Sequence, residues 1–240
     1  RIVMFGGSDA GLLGDTWEWD GHAWIERHPA TAPSPRANHV MAYDVARAEM
    51  VMVGGDTSGG HNAETWTYDG TTWHLRTPPS APSARAYAAA TYDSARQQVV
   101  MFGGLGQVGV NAETWTWDGT TWTDATPAAG NPGARRGSSM AYDPIRDRVV
   151  LYGGLDNGVL GDTWTWDGAA WALANPASSP SPRAASRMAF DVARGVMLMH
   201  GGSYMGLPTD LWAWDGTTWT ALPANAGPGV QLHGLASDVA

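Results

Sequence analysis

Asp15-Thr16-Trp17-Glu18-Trp19-Asp20-Gly21, closed by Trp24, is the stretch on which the reading of this chain turns. Trp17 and Trp19 alternate with polar residues at period two, the spacing of a strand whose two faces meet different surroundings. The Asp20-Gly21 pair favours a tight turn, so the tryptophan pair and the segment opening at Trp24 form a hairpin. The pattern returns at Trp66, Tyr68 and Trp73, at Trp115, Trp117 and Trp122, at Trp164, Trp166 and Trp171, and at Trp212, Trp214 and Trp219. Three positions in five copies, with Tyr68 in one of them, account for all 14 tryptophans, so the tryptophans are architecture first.

Working outward, each hairpin is preceded by an apolar run that ends in a glycine pair: Gly6-Gly7, Gly54-Gly55, Gly103-Gly104, Gly153-Gly154 and Gly201-Gly202. These runs are too short for helices and suit strands buried on both faces. Each hairpin is followed by a proline-rich connector and a segment of the form R-x6-Y-D: Arg36 to Asp44, Arg85 to Asp93, Arg135 to Asp143, and Arg183 to Asp191 with Phe190 for Tyr. A degraded fifth copy runs from Val230 to Asp238. With the R-x6-Y-D strand as a, the glycine-ended strand as b and the hairpin as c and d, each unit is a four-stranded antiparallel meander.

One such sheet cannot bury both faces in water, whereas repeated sheets packed face to face around an axis can. The expectation is an all-β, five-bladed β-propeller spanning 1–240 as a single domain. It closes by pairing segment 230–240 with the strands of 1–27, because Asp238-Val239-Ala240 joined to Arg1 recreates the D-V-A-R turn at Asp44 to Arg47 and Asp191 to Arg194. Small residues on strand a (Ala88, Ala89, Gly137, Ser138, Ala185, Ser186) suit a narrow axis. A piece of a larger ring that completes itself by oligomerising is the alternative; a closed ring predicts a monomer.

The glycine pair after an apolar strand, the D-T-W-x-W-D-G-x-x-W hairpin and the P-x-R strand resemble bacterial kelch repeats, and the resemblance covers nearly the whole chain. Kelch propellers usually have six or seven blades, so five is a departure. The resemblance implies a fold far more specifically than a function. It implies an extracytoplasmic, secreted setting, and the start at Arg1 without Met suggests trimming from a longer precursor, although no signal-peptide pattern opens the chain.

Composition removes several functions. The absence of cysteine excludes disulfides, thiolate metal sites, a cysteine nucleophile and the Tyr-Cys chemistry of kelch-like galactose oxidase. A net charge of −9 opposes attraction to nucleic acid or anionic membranes, and no apolar run reaches the roughly 20 residues of a membrane-spanning helix. The interior of strand a carries no acidic residue before its terminal Asp, against the paired carboxylates of five-bladed glycosidases, and the iron motif of the nitrile-specifier kelch proteins is absent. No catalytic residue, metal site or cofactor is assigned.

Antiparallel order gathers the d-a connectors, the starts of strand a and the variable b-c loops on one face, where a rigid scaffold presents binding residues. Arg36, Arg85, Arg135 and Arg183 stand at its mouth and suit an anion bidentately; arginines near this place contact ligand in kelch proteins that bind acidic peptides. The alternative pairs each with a carboxylate of a neighbouring blade. Departures from the repeat add Asn38, His39, Tyr87, Arg136, Arg187, His200, Tyr204 and His233, with His39 and His233 at equivalent places on strands that closure makes neighbours. The leading expectation is a non-catalytic module for a protein or peptide. A lectin-like glycan binder, with Trp24, Trp73, Trp122, Trp171 and Trp219 as its exposed tryptophans, comes second, and an acidic-sugar enzyme resembling a kelch sialate mutarotase third.

Overall fold

The computed structural model describes residues 2–203, 206 and 208–223; across these the chain is all-β, with no helix. Five antiparallel sheets follow one another along the sequence. The first holds Ile2–Ser8, Leu12–Trp19 and Trp24–Arg27. The second holds Val40–Asp44, Glu49–Val53, Thr65–Tyr68 and Trp73–Arg76. The third holds Ala89–Asp93, Gln98–Phe102, Thr114–Trp117 and Trp122–Asp124. The fourth is Ser139–Asp143, Arg148–Leu155, Val159–Trp166 and Trp171–Ala174, and the fifth Arg187–Asp191, Val196–His200, Leu211–Trp214 and Trp219–Leu222. The last four sheets run a-b-c-d as the repeat requires, and each of these four contacts the next through their a strands, a propeller-like arrangement. Segment 230–240, with the ring closure expected of it, lies outside the described residues.

The core lies between sheets. Strand b is buried on both faces, as in Val99 to Phe102 at 0–1% exposure, so one set of its residues packs on each neighbour. Phe102 of the third sheet meets Trp171 of the fourth edge to face, and Phe5 and Tyr152 meet Trp73 and Trp219 in the same way. The d-strand tryptophans are therefore interior. Trp73, Trp122, Trp171 and Trp219 are only 1–5% exposed, and each indole N–H donates to a threonine of the preceding sheet, Thr16, Thr65, Thr114 or Thr163, at 2.8–3.0 Å. The expectation that they are partly exposed is corrected for these four, because d, though the outer strand, lies over the c strand of the neighbour. Trp24 alone keeps 44% exposure.

A second link sits at the opposite end of the sheets. Asp44 accepts from the backbone and side chain of Arg47 across the a-b turn, as Asp93 and Asp143 do from Arg96 and Arg146. The same three arginines reach the next sheet and lie over the glycine of its c-d turn, Gly119, Gly168 and Gly216, where a Cβ would fall 1.9–2.2 Å from the guanidine Nε. Arg194, the fifth-sheet member, is 73% exposed, and its repeat counterpart Gly21 faces open space.

The glycine pairs supply the third link. Gly54, Gly103 and Gly153 adopt φ of +63 to +69°, and a Cβ there would lie 2.4 Å from the carbonyl oxygen of Arg85, Arg135 or Arg183. Gly6 is held likewise, 2.7 Å or less from the Arg36 and Leu13 carbonyls. Gly103→Ala is expected to cost about 3 kcal/mol or more in denaturant unfolding, strain at positive φ adding to a backbone clash. Gly158→Ala, where a Cβ meets nothing within 4 Å, is expected to stay within about 0.5 kcal/mol of the parent.

Candidate functional site at the channel mouth

The four repeated arginines are buried at 0–3% exposure, and each joins two sheets. The Arg36 N–H donates to the Leu13 carbonyl of the first sheet and its own carbonyl accepts from Gly7 N–H, while its side chain turns into the second sheet. There Nε donates to the Ser34 carbonyl, Nη1 to the Gly54 carbonyl at 3.2 Å, and Nη2 to Glu64 Oε2 at 2.6 Å. Arg85 repeats this with Gly103 and Glu113. Arg135 and Arg183 bind Asp162 and Asp210 with two parallel bonds of 2.6 and 2.8 Å each. The carboxylate belongs to the arginine's own sheet, which corrects the expectation of a neighbouring one; the bonds to the neighbour are made by the backbone instead.

These pairs perturb the acids. Burial alone raises the Glu64, Glu113 and Asp162 carboxyls, but the hydrogen bonds from arginine and from Trp66, Trp115 and Trp164 outweigh it and leave all three lowered. The Arg183 bond dominates at Asp210, also lowered. Asp15, the first-sheet counterpart, accepts from Trp17 Nε1 and keeps Oδ1 buried with no partner among the described residues; Val230 stands at the repeat's arginine position for that sheet.

Two residues beyond each arginine the a strands form a collar. Asn38, Tyr87, Gly137 and Ala185 share φ of 57–64°, and backbone bonds run from Tyr87 N–H to Asn38, from Gly137 N–H to Tyr87 and from Ala185 N–H to Gly137, at 2.7–2.9 Å. A left-handed tyrosine is unusual, and this chain of bonds holds it there. Asn38 donates to Asp56 of the b-c loop. The Arg136 guanidinium lies 5.9 Å from the centre of the Tyr87 ring, within cation–π range, with no carboxylate partner among the described residues.

Inside the collar runs a cavity of about 650 Å³ lined by all four described a strands. His39 borders it with its ring edge to face with Phe5 and Nδ1 buried with no partner among the described residues. Burial first, and the Arg36 charge second, pull its pKa down to about 4, so it is neutral at pH 7. Arg187 also lines the cavity and, among the described residues, bonds only to the Ser186 carbonyl, at 3.0 Å; burial lowers its pKa. His200 stands directly across from it in the a-b register.

The structure thus brings Asn38, His39, Tyr87 and Arg187 to the channel with Arg136 against Tyr87, leaves His200 on strand b across from Arg187 and outside the cavity lining, and sets Arg36, Arg85, Arg135 and Arg183 into the walls. Tyr204 and His233 lie outside the described residues, and with His233 the expected histidine pairing. Sequence reading missed Ser138, which donates to the Gly153 carbonyl at 3.0 Å, and the Ser139–Ser186 hydroxyl pair between adjacent a strands; only their position on strand a offers a signal. Among the described residues no group of three His, Cys, Asp or Glu is arranged to hold a metal. No protein-family model matches the chain, and no curated protein matches it.

Arg85→Gln is expected to cost about 2–3 kcal/mol, below the ~3–5 kcal/mol of a fully buried pair, because Glu113 keeps 40% of its side chain exposed. The acids titrate lower when folded, so their contribution is present above the ordinary carboxylate range and is lost as pH falls through the folded values. The gap between parent and variant, read by denaturant unfolding at stepped pH, is therefore expected to narrow below about pH 4.

Proposed function

We propose that the chain forms a five-bladed, kelch-type β-propeller and serves as a non-catalytic binding module for a protein or peptide, on the face that carries the b-c loops and d-a connectors. The ligand contacts are the residues that break the repeat at the mouth, Asn38, Tyr87, Arg136 and Arg187. One observation carries this. The repeated arginines are occupied by buried ion pairs and carbonyls, whereas Arg136 and Arg187, on the same face, have no carboxylate partner among the described residues.

The described lining of the channel supports a binder over a glycosidase, since among those residues there is no Asp or Glu to act as acid or base. Burial of four of the five d-strand tryptophans weighs against a repeated sugar-stacking lectin site. The unlike loops, 8–14, 56–63, 105–112 and 155–161, fit one asymmetric partner better than five identical small ligands. With an acidic peptide selected from a display library, Tyr87→Ala and Arg136→Gln are each expected to weaken binding at least about tenfold, or 1.4 kcal/mol, without changing the melting point. Binding that survives both substitutions would count against this face.

Ring closure has its own test. In a closed ring Trp24 packs on the fifth sheet as Trp73 packs on the first, although Leu211 replaces the threonine that accepts its N–H. Trp24→Ala is then expected to cost about 2–3 kcal/mol, against ~3–5 kcal/mol for Trp73→Ala, in a chain that light scattering finds monomeric. A cost under about 0.5 kcal/mol, or a defined oligomer, would speak for an open ring.

A further inference from the structure

We propose that the channel beneath the mouth is a binding site for a small organic monoanion, a carboxylate on a compact apolar body, anchored by the Arg187 guanidinium. This deepens the binding-module reading and rests on it by naming a ligand for the same opening.

Repetition frames the case. The positions equivalent to Arg187 are Val40, Ala89 and Ser139, so the strand packs with a small or apolar residue there, and an arginine is not required by the fold. Its register partner changes too: Val40, Ala89 and Ser139 pair with Val53, Phe102 and Tyr152, whereas Arg187 pairs with His200. A half-buried guanidinium with no counter-ion among the described residues is unfavourable in a wall that otherwise tolerates alanine, and such local violations of packing logic concentrate at functional sites.

The surroundings define the ligand. Among the described residues Arg187 makes one hydrogen bond, to the Ser186 carbonyl, which leaves donors of its planar fork without a partner there, a geometry matched to a carboxylate. Among the described residues the cavity lining contains no Asp or Glu to compete. His39 is neutral at pH 7, so Arg187 is the one charged side chain among the described lining residues, which suits a monoanion over a phosphate dianion. Below the guanidinium the wall is apolar, with Met41, Ala90, Met140, Ala141 and Met188 among its lining. A volume of about 650 Å³ falls within the roughly 300–1,000 Å³ of small-molecule sites.

The test uses the full chain with phenylacetate, its neutral isostere phenylacetamide, inorganic phosphate and chloride, read by calorimetry and thermal shift. Phenylacetate is expected to bind and raise the melting point; the amide and phosphate are expected not to, and excess chloride is expected not to displace it. Arg187→Met is expected to melt at or above the parent, since it removes an unpaired charge, yet to lose at least about tenfold in phenylacetate affinity. Arg187→Lys is expected to fall between, and the exposed Arg194→Gln to bind normally. Equal binding of acid and amide, unchanged affinity in Arg187→Met, or no carboxylate binding at about 10 mM, above a weak millimolar dissociation constant, would overturn the proposal. Tyr87→Ala and Arg136→Gln assayed against peptide report on the mouth separately, so loss of one function without the other shows which has failed.

Discussion

The repeated arginine is the constraint on which the rest of the molecule depends. Its backbone N–H and carbonyl pair with the b-c loop and the glycine pair of one sheet, while its side chain binds the glycine carbonyl and the acidic residue of the next. That double attachment is available only because the first glycine has no Cβ; a methyl group would occupy the arginine carbonyl. The consequence is geometric. Sheets joined this way meet at a fixed angle and depth, which delivers the d-strand tryptophan onto the threonine of its neighbour and the a-b turn arginine onto the neighbour's turn glycine. A partly buried ion pair is weak evidence of net stabilisation by itself; what it supplies here is register between sheets.

The flank where the fifth sheet would meet the first is chemically unlike the other junctions. Trp24 and Arg194 are exposed, Asp15 retains an oxygen with no partner among the described residues, and the sequence sets Leu211 where a threonine accepts elsewhere and Val230 where an arginine stands. The same flank carries Arg187 and His200. The repeat is therefore faithful where sheets must interlock and departs from itself where the ring would be sealed and where the channel acquires charge.

Much of this was legible beforehand, and the reasons are local. Period-two tryptophans, Asp-Gly turns and glycine-ended apolar runs depend on neighbours in sequence, so the strands and their order within each sheet follow from inspection. The Asp20 and Asp69 side chains cap their turns as the turn chemistry requires. The site was less legible. Arginines at one mouth read equally well as an anion ring and as wall, and spacing does not say which way a guanidinium turns.

By itself the sequence determined the all-β class, the repeat unit, the strand order and the face on which the variable loops gather, because each follows from periodicity and turn chemistry within about 50 residues. Only the tertiary structure decided that the four repeated arginines are interior, that their carboxylates lie in the same sheet, that four d-strand tryptophans are buried and that Arg187 has no counter-ion among the described residues. Those outcomes depend on contacts between residues 18 to 57 positions apart, which are set by how one sheet seats on the next.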